Sequence, residues 1–296
     1  MVLLAALPLA AQFSGGIEGV VQDQSGGALP GATVGLKNLA TGVAATTKSS
    51  DSGSYRFSSL APGEYEVTAS NAGFNNAQVH INVQTAQTAN LNLTLQVTGA
   101  NTSISVSAET PPIDTADSRL QTTMSTQQLQ DLPVQGRNFL GLVAVAPGIT
   151  GHGAVGGGAP GDAQDNFSTE KTVDASGNGR NQSGNEFSLD GLNITSNILQ
   201  GTASLTPNPD SVQEMAIQTN VFNVEHGRGS SVQVAITTKS GTNGYHGTGA
   251  YFYSDQHLRA RTEFTKKYEP FKKHDLSATF GGPIIKNHTF FFASVE

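Results

Sequence analysis

The chain has 296 residues, a formal net charge of -7, no cysteine and no tryptophan, a length that accommodates roughly two domains of about 150 residues each. Only 13% of its residues are charged while 34 are glycine, a balance that excludes helical bundles and coiled coils and favours short strands joined by turns. Without cysteine there is no disulfide framework, zinc-thiolate site or thiol nucleophile. The acidic balance, concentrated in residues 101–250 with 13 acidic against 6 basic side chains, argues against a nucleic-acid partner, which needs a basic face.

Residues 1–12 read as the remnant of a secretory signal: Met1 to Ala11 form an uncharged apolar run that is too short to cross a bilayer and ends in small residues. A basic start is missing, which leaves a buried first strand as the other reading. No later apolar run reaches 18 residues, so a membrane role requires barrel strands.

Residues 13–98 alternate apolar and polar positions between clusters of Gly, Pro, Asn and Asp, which predicts about seven short strands in a β-sandwich. Gly19-x-Val21-x-Asp23, Leu29-Pro30-Gly31-Ala32-x-Val34, Asp51-x-Gly53-x-Tyr55-x-Phe57, Leu60-x-Pro62-Gly63-x-Tyr65-x-Val67 and Gly73-Phe74 mark its strands and turns. Together these elements resemble the carboxypeptidase regulatory-like domain, a transthyretin-like sandwich. The resemblance implies an accessory module without peptidase residues.

Beyond Val97 the period changes. Residues 99–113 form a linker in which Ile104, Ser105, Val106, Ser107 and Ala108 are extended, before Pro111-Pro112 stops any strand. Within residues 114–243, Ser125 caps a short helix ending before Pro133, and Asn138 to Val145 carries a second helical pattern that ends at Pro147-Gly148. The glycine-rich stretch from Thr150 to Asn185 offers too few large apolar residues to build a core of its own, so it is either disordered or packed inside something else. Strands resume at Glu186–Ile194 around an Asp-Gly turn; Pro207–Ile217 holds a turn, an acidic N-cap and a short segment leading into another strand, and an alternating run spans Val232–Gly241. The order Leu132-Pro133-x-x-Gly136-Arg137-Asn138, Gly179-Arg180, Phe187-x-Leu189-Asp190-Gly191, Pro209-Asp210-Ser211-Val212-Gln213-Glu214, Gly227-Arg228 and Thr238-Lys239-Ser240-Gly241 resembles the plug domain of TonB-dependent outer-membrane receptors, in the Oar-like branch where a regulatory-like sandwich precedes the plug.

That resemblance makes Ile104 to Ala108 the candidate TonB-contacting segment, with an ordinary linker strand as the competing reading. It makes Arg137, Arg180, Arg228, Glu214 and Glu225 candidates for plug-to-barrel ion pairs, with solvated surface charge as the alternative. In residues 244–296, three strands with clustered Tyr and Phe suit the aromatic girdles of an outer-membrane barrel. They are too few to close one, so the chain is expected to be the N-terminal portion of a longer protein.

No chemistry competes with this reading. Gly151-x-Gly153-x-x-Gly156 matches a dinucleotide fingerprint only literally, with no hydrophobic strand leading in and no helix leaving. The seven histidines never fall at metal-ligand spacing, and no nucleophile, base and orienting group can be assembled. The expectation is a mostly β, non-enzymatic chain without cofactor or metal, in which a plug gates an outer-membrane barrel. The implied partners are TonB, the outer membrane and an imported siderophore, glycan, peptide or cobalamin. The alternative is a secreted or surface carbohydrate-binding or adhesion protein that uses the sandwich.

Overall fold

The computed structural model describes residues 15–98, 105–107, 120–132, 134, 137–154, 171–219, 229–258 and 272–296. Among them, nine strands build the sandwich: β1 (Gly15–Asp23), β2 (Thr33–Asn38), β3 (Ala44–Lys48), β4 (Ser54–Leu60), β5 (Gly63–Ser70), β6 (Ala77–Val83), β7 (Thr88–Asn90), β8 (Leu93–Leu95) and β9 (Ser105–Ser107). One sheet has the order β4-β1-β7, with β8 pairing further along β1; the other runs β3-β2-β5-β6-β9. Alternation does the folding. Ile17, Val21, Val34, Tyr55, Val67 and Leu93 are buried between the sheets, while their neighbours in sequence turn outward. Tyr55 and Phe57 lie on one face, as their spacing requires, with rings edge to face at 6.2 Å. The Tyr55 hydroxyl donates to the Leu91 carbonyl at 2.7 Å, so the buried phenol is not left unpaired. Gly19 is needed because a β-carbon there would run into the Leu91 main chain.

The middle unit contains β10 (Leu120–Ser125), helix α1 (Thr126–Asp131), β11 (Ile149–Ala154), β12 (Lys171–Gly177), β13 (Glu186–Leu189), β14 (Leu192–Asn193), β15 (Thr202–Ala203), β16 (Val212–Thr219) and β17 (Val232–Thr238). Its main sheet has the order β10-β16-β17-β13-β14, and β11-β12-β15 forms a second. Ser125 caps α1 as expected, its side chain and that of Gln128 forming a reciprocal capping box. The second helical pattern is a 3-10 helix, Phe139–Val145, capped by Asn138. Three residues per turn explain this: Phe139 and Leu142, then Leu140 and Val143, stack in pairs three apart, and all four are buried. Asp190 and Gly191 both take positive φ, 48° and 81°, the hairpin turn expected of that dipeptide.

Part of the glycine-rich stretch has a core role that its composition conceals. Val173 and Ala175 on β12 are fully buried in the middle unit's apolar cluster with Phe139, Phe187, Met215 and Ile236. Such small side chains contribute because larger ones from neighbouring strands cover them. The Gly151–Ala154 part of the dinucleotide-like match lies in β11 rather than in a turn opening a helix.

At the C-terminal side, β18 (His246–Asp255), β19 (Lys272–Ile285) and β20 (Thr289–Val295) form an antiparallel sheet in that order. Its alternation is inverted. On β19 the polar Asp275, Ser277 and Thr279 are buried whereas Leu276 and Phe280 are 71% and 52% exposed. A water-soluble domain would do the opposite.

Phe187 is fully buried at the centre of the middle cluster. Phe187→Ala should therefore remove about 3–5 kcal/mol from the stability of that unit, read as accelerated amide exchange across β17, with exchange in the sandwich unchanged. Equal acceleration in both would show that the two cores are one cooperative unit.

Candidate functional site

The site grows from one turn. Asn208 caps the 3-10 turn Pro209–Ser211 by accepting from the Asp210 N–H, and proline at the first position of that turn supplies a preset φ. β16 starts immediately afterwards, so this turn fixes the side chains of Asn208, Asp210, Gln213 and Glu214 in sharply different directions.

Toward the C-terminal sheet, Arg137 donates to Asp210 at 2.7 Å and to Glu296 at 2.9 Å. Its guanidinium stacks over the Phe252 ring, 3.9 Å from the centroid. Arg137 has φ of 58°, a left-handed backbone that a non-glycine residue holds only when its surroundings enforce it. The Asn208 amide adds hydrogen bonds to the Ser277 hydroxyl at 3.1 Å and the Val295 carbonyl at 3.3 Å. Gln130 donates to the Asp210 carboxylate, and Lys239 to its carbonyl at 2.8 Å. Burial pushes the Lys239 ammonium below its ordinary pKa, and the Asp210 charge opposes that shift.

Toward the sandwich, a second polar seam forms on the face of the middle sheet opposite its apolar core. Glu214 accepts from the Thr85 N–H at 2.9 Å and from its hydroxyl at 3.0 Å, and the same hydroxyl lies 3.0 Å from that of Thr237. Gln121 donates to the Thr85 carbonyl and Gln218 to the Ala86 carbonyl, and Gln218 also donates to Gln121 at 2.7 Å. Gln213 reaches the Pro62 carbonyl at 3.0 Å. Burial raises the Glu214 pKa, against the opposing effect of the two Thr85 hydrogen bonds. A third contact joins sandwich and C-terminal sheet directly. Asn243 donates from its main chain to the Ala40 carbonyl and from its side chain to the Thr41 carbonyl, while bonding to Asn287 in the β19–β20 turn.

Of the residues singled out from sequence, Arg137 thus reaches Glu296, just past β20, and Phe252 on β18, and Arg180 donates to the Ser230 carbonyl within the middle unit at 2.6 Å. Glu214 is a correction: it faces the sandwich rather than a barrel arginine, because its position on β16 points it away from the turn's other side chains. Arg228 and Glu225 lie outside the described residues, as do Ile104, Ala108 and the signal-like residues 1–12. Ser105, Val106 and Ser107 form β9, pairing in parallel with Gln78, Val79 and His80 of β6. Sequence reasoning missed Thr85, Asn208, Asp210, Lys239, Gln121 and Gln218 as contact residues. The available signal was that Glu214, Ala216 and Gln218 alternate with Met215 and Ile217, a polar face that a strand reader assigns to water.

Comparison with known proteins agrees with this layout. The carboxypeptidase regulatory-like domain family matches residues 16–96 and an outer membrane beta barrel domain family matches residues 237–296. The TonB-dependent transporter Oar of Myxococcus xanthus is 27% identical over 256 residues, covering 81% of this chain. The chain spans about a fifth of that relative's length, 22%. Two solved receptors align with 56% of this chain and 22% of their own: the siderophore receptor PirA from Acinetobacter baumannii at 19% identity and TM-score 0.39, and the ferric enterobactin receptor PfeA from Pseudomonas aeruginosa at 13% and 0.40.

Two outcomes test the site. Arg137→Ala removes the cation that pairs directly with the buried Asp210 carboxylate, leaving only the Lys239 charge nearby, and should cost up to about 3–5 kcal/mol, seen as faster amide exchange in β16 and β20; exchange equal to wild type would mean the pair is not structural. The Glu214 pKa is higher in the folded state than its ordinary value, so between the two the folded protein holds more protons and its stability falls as pH rises through that window. Urea midpoints followed by circular dichroism should show this fall in wild type and its disappearance in Glu214→Gln. Two parallel pH profiles would place the shift elsewhere.

With a carboxypeptidase regulatory-like domain match, a plug-like middle unit and an outer membrane beta barrel domain match in that order, the chain is similar to the N-terminal part of the TonB-dependent transporter Oar.

Proposed function

We propose that this chain supplies the gate of an energy-coupled outer-membrane importer, with residues 13–98 as the periplasmic sandwich, 99–113 as linker, 114–243 as plug and 244–296 as barrel strands. The observation that carries this reading is the inverted alternation of β19. Asp275, Ser277 and Thr279 turn toward the middle unit and Leu276 and Phe280 away from it. That arrangement makes sense when lipid lies outside and a polar plug inside. Among the described residues no helix is long and apolar enough to cross a membrane, and barrel strands need none.

Gating follows from the kind of contact present. The plug side of the interface is polar: Asn208 to Ser277, and Arg137 to Glu296 and Asp210. Such bonds can be exchanged for bonds to water as the plug shifts, without undoing the apolar cluster around Phe139 and Phe187. A ligand too large or scarce for porins, such as a siderophore, glycan, peptide or cobalamin, binds on the outer side. TonB then engages the segment around Ser105–Ser107 and, driven by the inner-membrane proton gradient, draws the plug open. A three-residue parallel pairing with β6 holds that segment in place. So short a ladder is easily released, since each hydrogen bond has a net worth of only about 0.5–1.5 kcal/mol.

Deletion of Ile104 to Ala108 from the full-length receptor should weaken capture by the purified periplasmic domain of TonB at least tenfold, with the receptor still inserted in the outer membrane. Undiminished capture would remove this segment from the TonB contact.

A further inference from the structure

We propose that the sandwich is a strap that closes the plug from the periplasmic side and leaves together with it, its joint to the plug being permanent and its joint to the barrel turn the one that releases. The inference rests on the plug-and-barrel reading above and extends it to the accessory domain. Three bodies meet here in a closed ring: the sandwich touches the plug at β16, the plug touches the barrel at Asn208 and Arg137, and the sandwich meets the barrel turn at Asn287, directly from Gly42 and through Asn243, the residue that leads into the barrel strands. If the plug moves relative to the barrel, the sandwich must let go of one of them. The two joints differ in kind.

The joint to the plug is buried and networked. Thr85, Ala86, Gln218 and Thr237 are all buried. Gln121, Gln213 and Gln218 all donate to sandwich main-chain carbonyls while Glu214 accepts a main-chain N–H. Hydrogen bonds shielded from water and linked to one another hold more strongly than isolated exposed ones. At the barrel joint, among the described residues, two bonds cross to the sandwich, both from Asn243, to the Ala40 and Thr41 carbonyls, and both depend on that one residue, with no counterpart to the buried glutamine network of the other joint. Gly42, at φ 70°, permits the close approach there, since a β-carbon would collide with the Asn287 side chain. Shape, rather than binding strength, seats the sandwich on the turn.

The chain has no cysteine, so paired cysteines can lock either joint selectively. The hydroxyls of Thr85 and Thr237 are 3.0 Å apart, and an ideal β-carbon on Gly42 would lie 3.1 Å from the Asn287 Cγ; in each pair the two side-chain positions are in contact, as a disulfide requires. The full-length receptor is placed in planar bilayers and K+ conductance is recorded as urea is raised to release the plug. Oxidised Gly42→Cys/Asn287→Cys should conduct at least tenfold less than wild type at the wild-type midpoint. Oxidised Thr85→Cys/Thr237→Cys should stay within twofold of it, and reduction should return both pairs to wild-type behaviour, which shows that they fold. Blockade by the plug-side bridge, or none by the barrel-side bridge, overturns the proposal. A wild-type receptor that never conducts overturns the barrel reading beneath it, and the strap with it.

Discussion

The eight residues from Pro207 to Glu214 touch both other parts of this chain. Asn208 bonds to the barrel segment, Asp210 holds Arg137, Gln213 reaches the sandwich at Pro62 and Glu214 reaches it at Thr85. One short turn can do this because a capped 3-10 turn that runs straight into a strand changes the side-chain period from three to two. Adjacent residues are then aimed at different neighbours.

The consequence is a division of labour between apolar and polar burial. Each unit is held together internally by its own apolar cluster, one around Ile17, Val67 and Leu93 and the other around Phe139, Phe187 and Met215. The joints between units are polar, and the strongest of them, around Arg137 and around Glu214, are shielded from water. A buried ion pair adds little net stability when intact, yet it is costly when one partner is removed. Interfaces of that kind specify one arrangement of the units, and separating them would cost less than unfolding either core. The strained Arg137 backbone, φ 58°, fits the same pattern: local strain is held by the two carboxylates and the Phe252 ring.

The barrel segment illustrates how environment reverses a familiar rule. Leu276 and Phe280 face outward and Asp275 and Ser277 inward, and the same two-residue period that builds the sandwich is used with opposite polarity. Period alone is indifferent to which side is wet. The presence of the polar side of the middle unit on one face decides it.

Much of the fold was legible in the chain itself. Alternation around Tyr55, Tyr65 and Val79, the capping box at Ser125 and the Asp190-Gly191 turn are set by residues close in sequence, and local sterics and hydrogen bonding suffice to determine them. The strands around Val173 were hidden because valine and alanine carry little hydrophobic signal on their own. At the site, the sequence marks Arg137 and Glu214 as charged side chains but names the partner of neither. Glu214 and Gln218 stand on the polar side of β16 exactly as solvent-facing residues would, and nothing nearby in sequence tells that Thr85 and Ala86, some 130 residues earlier, will cover them. The chain determines which groups a strand presents. Only tertiary packing decides whether water or another part of the protein meets them, because that depends on contacts between segments whose separation leaves no local trace.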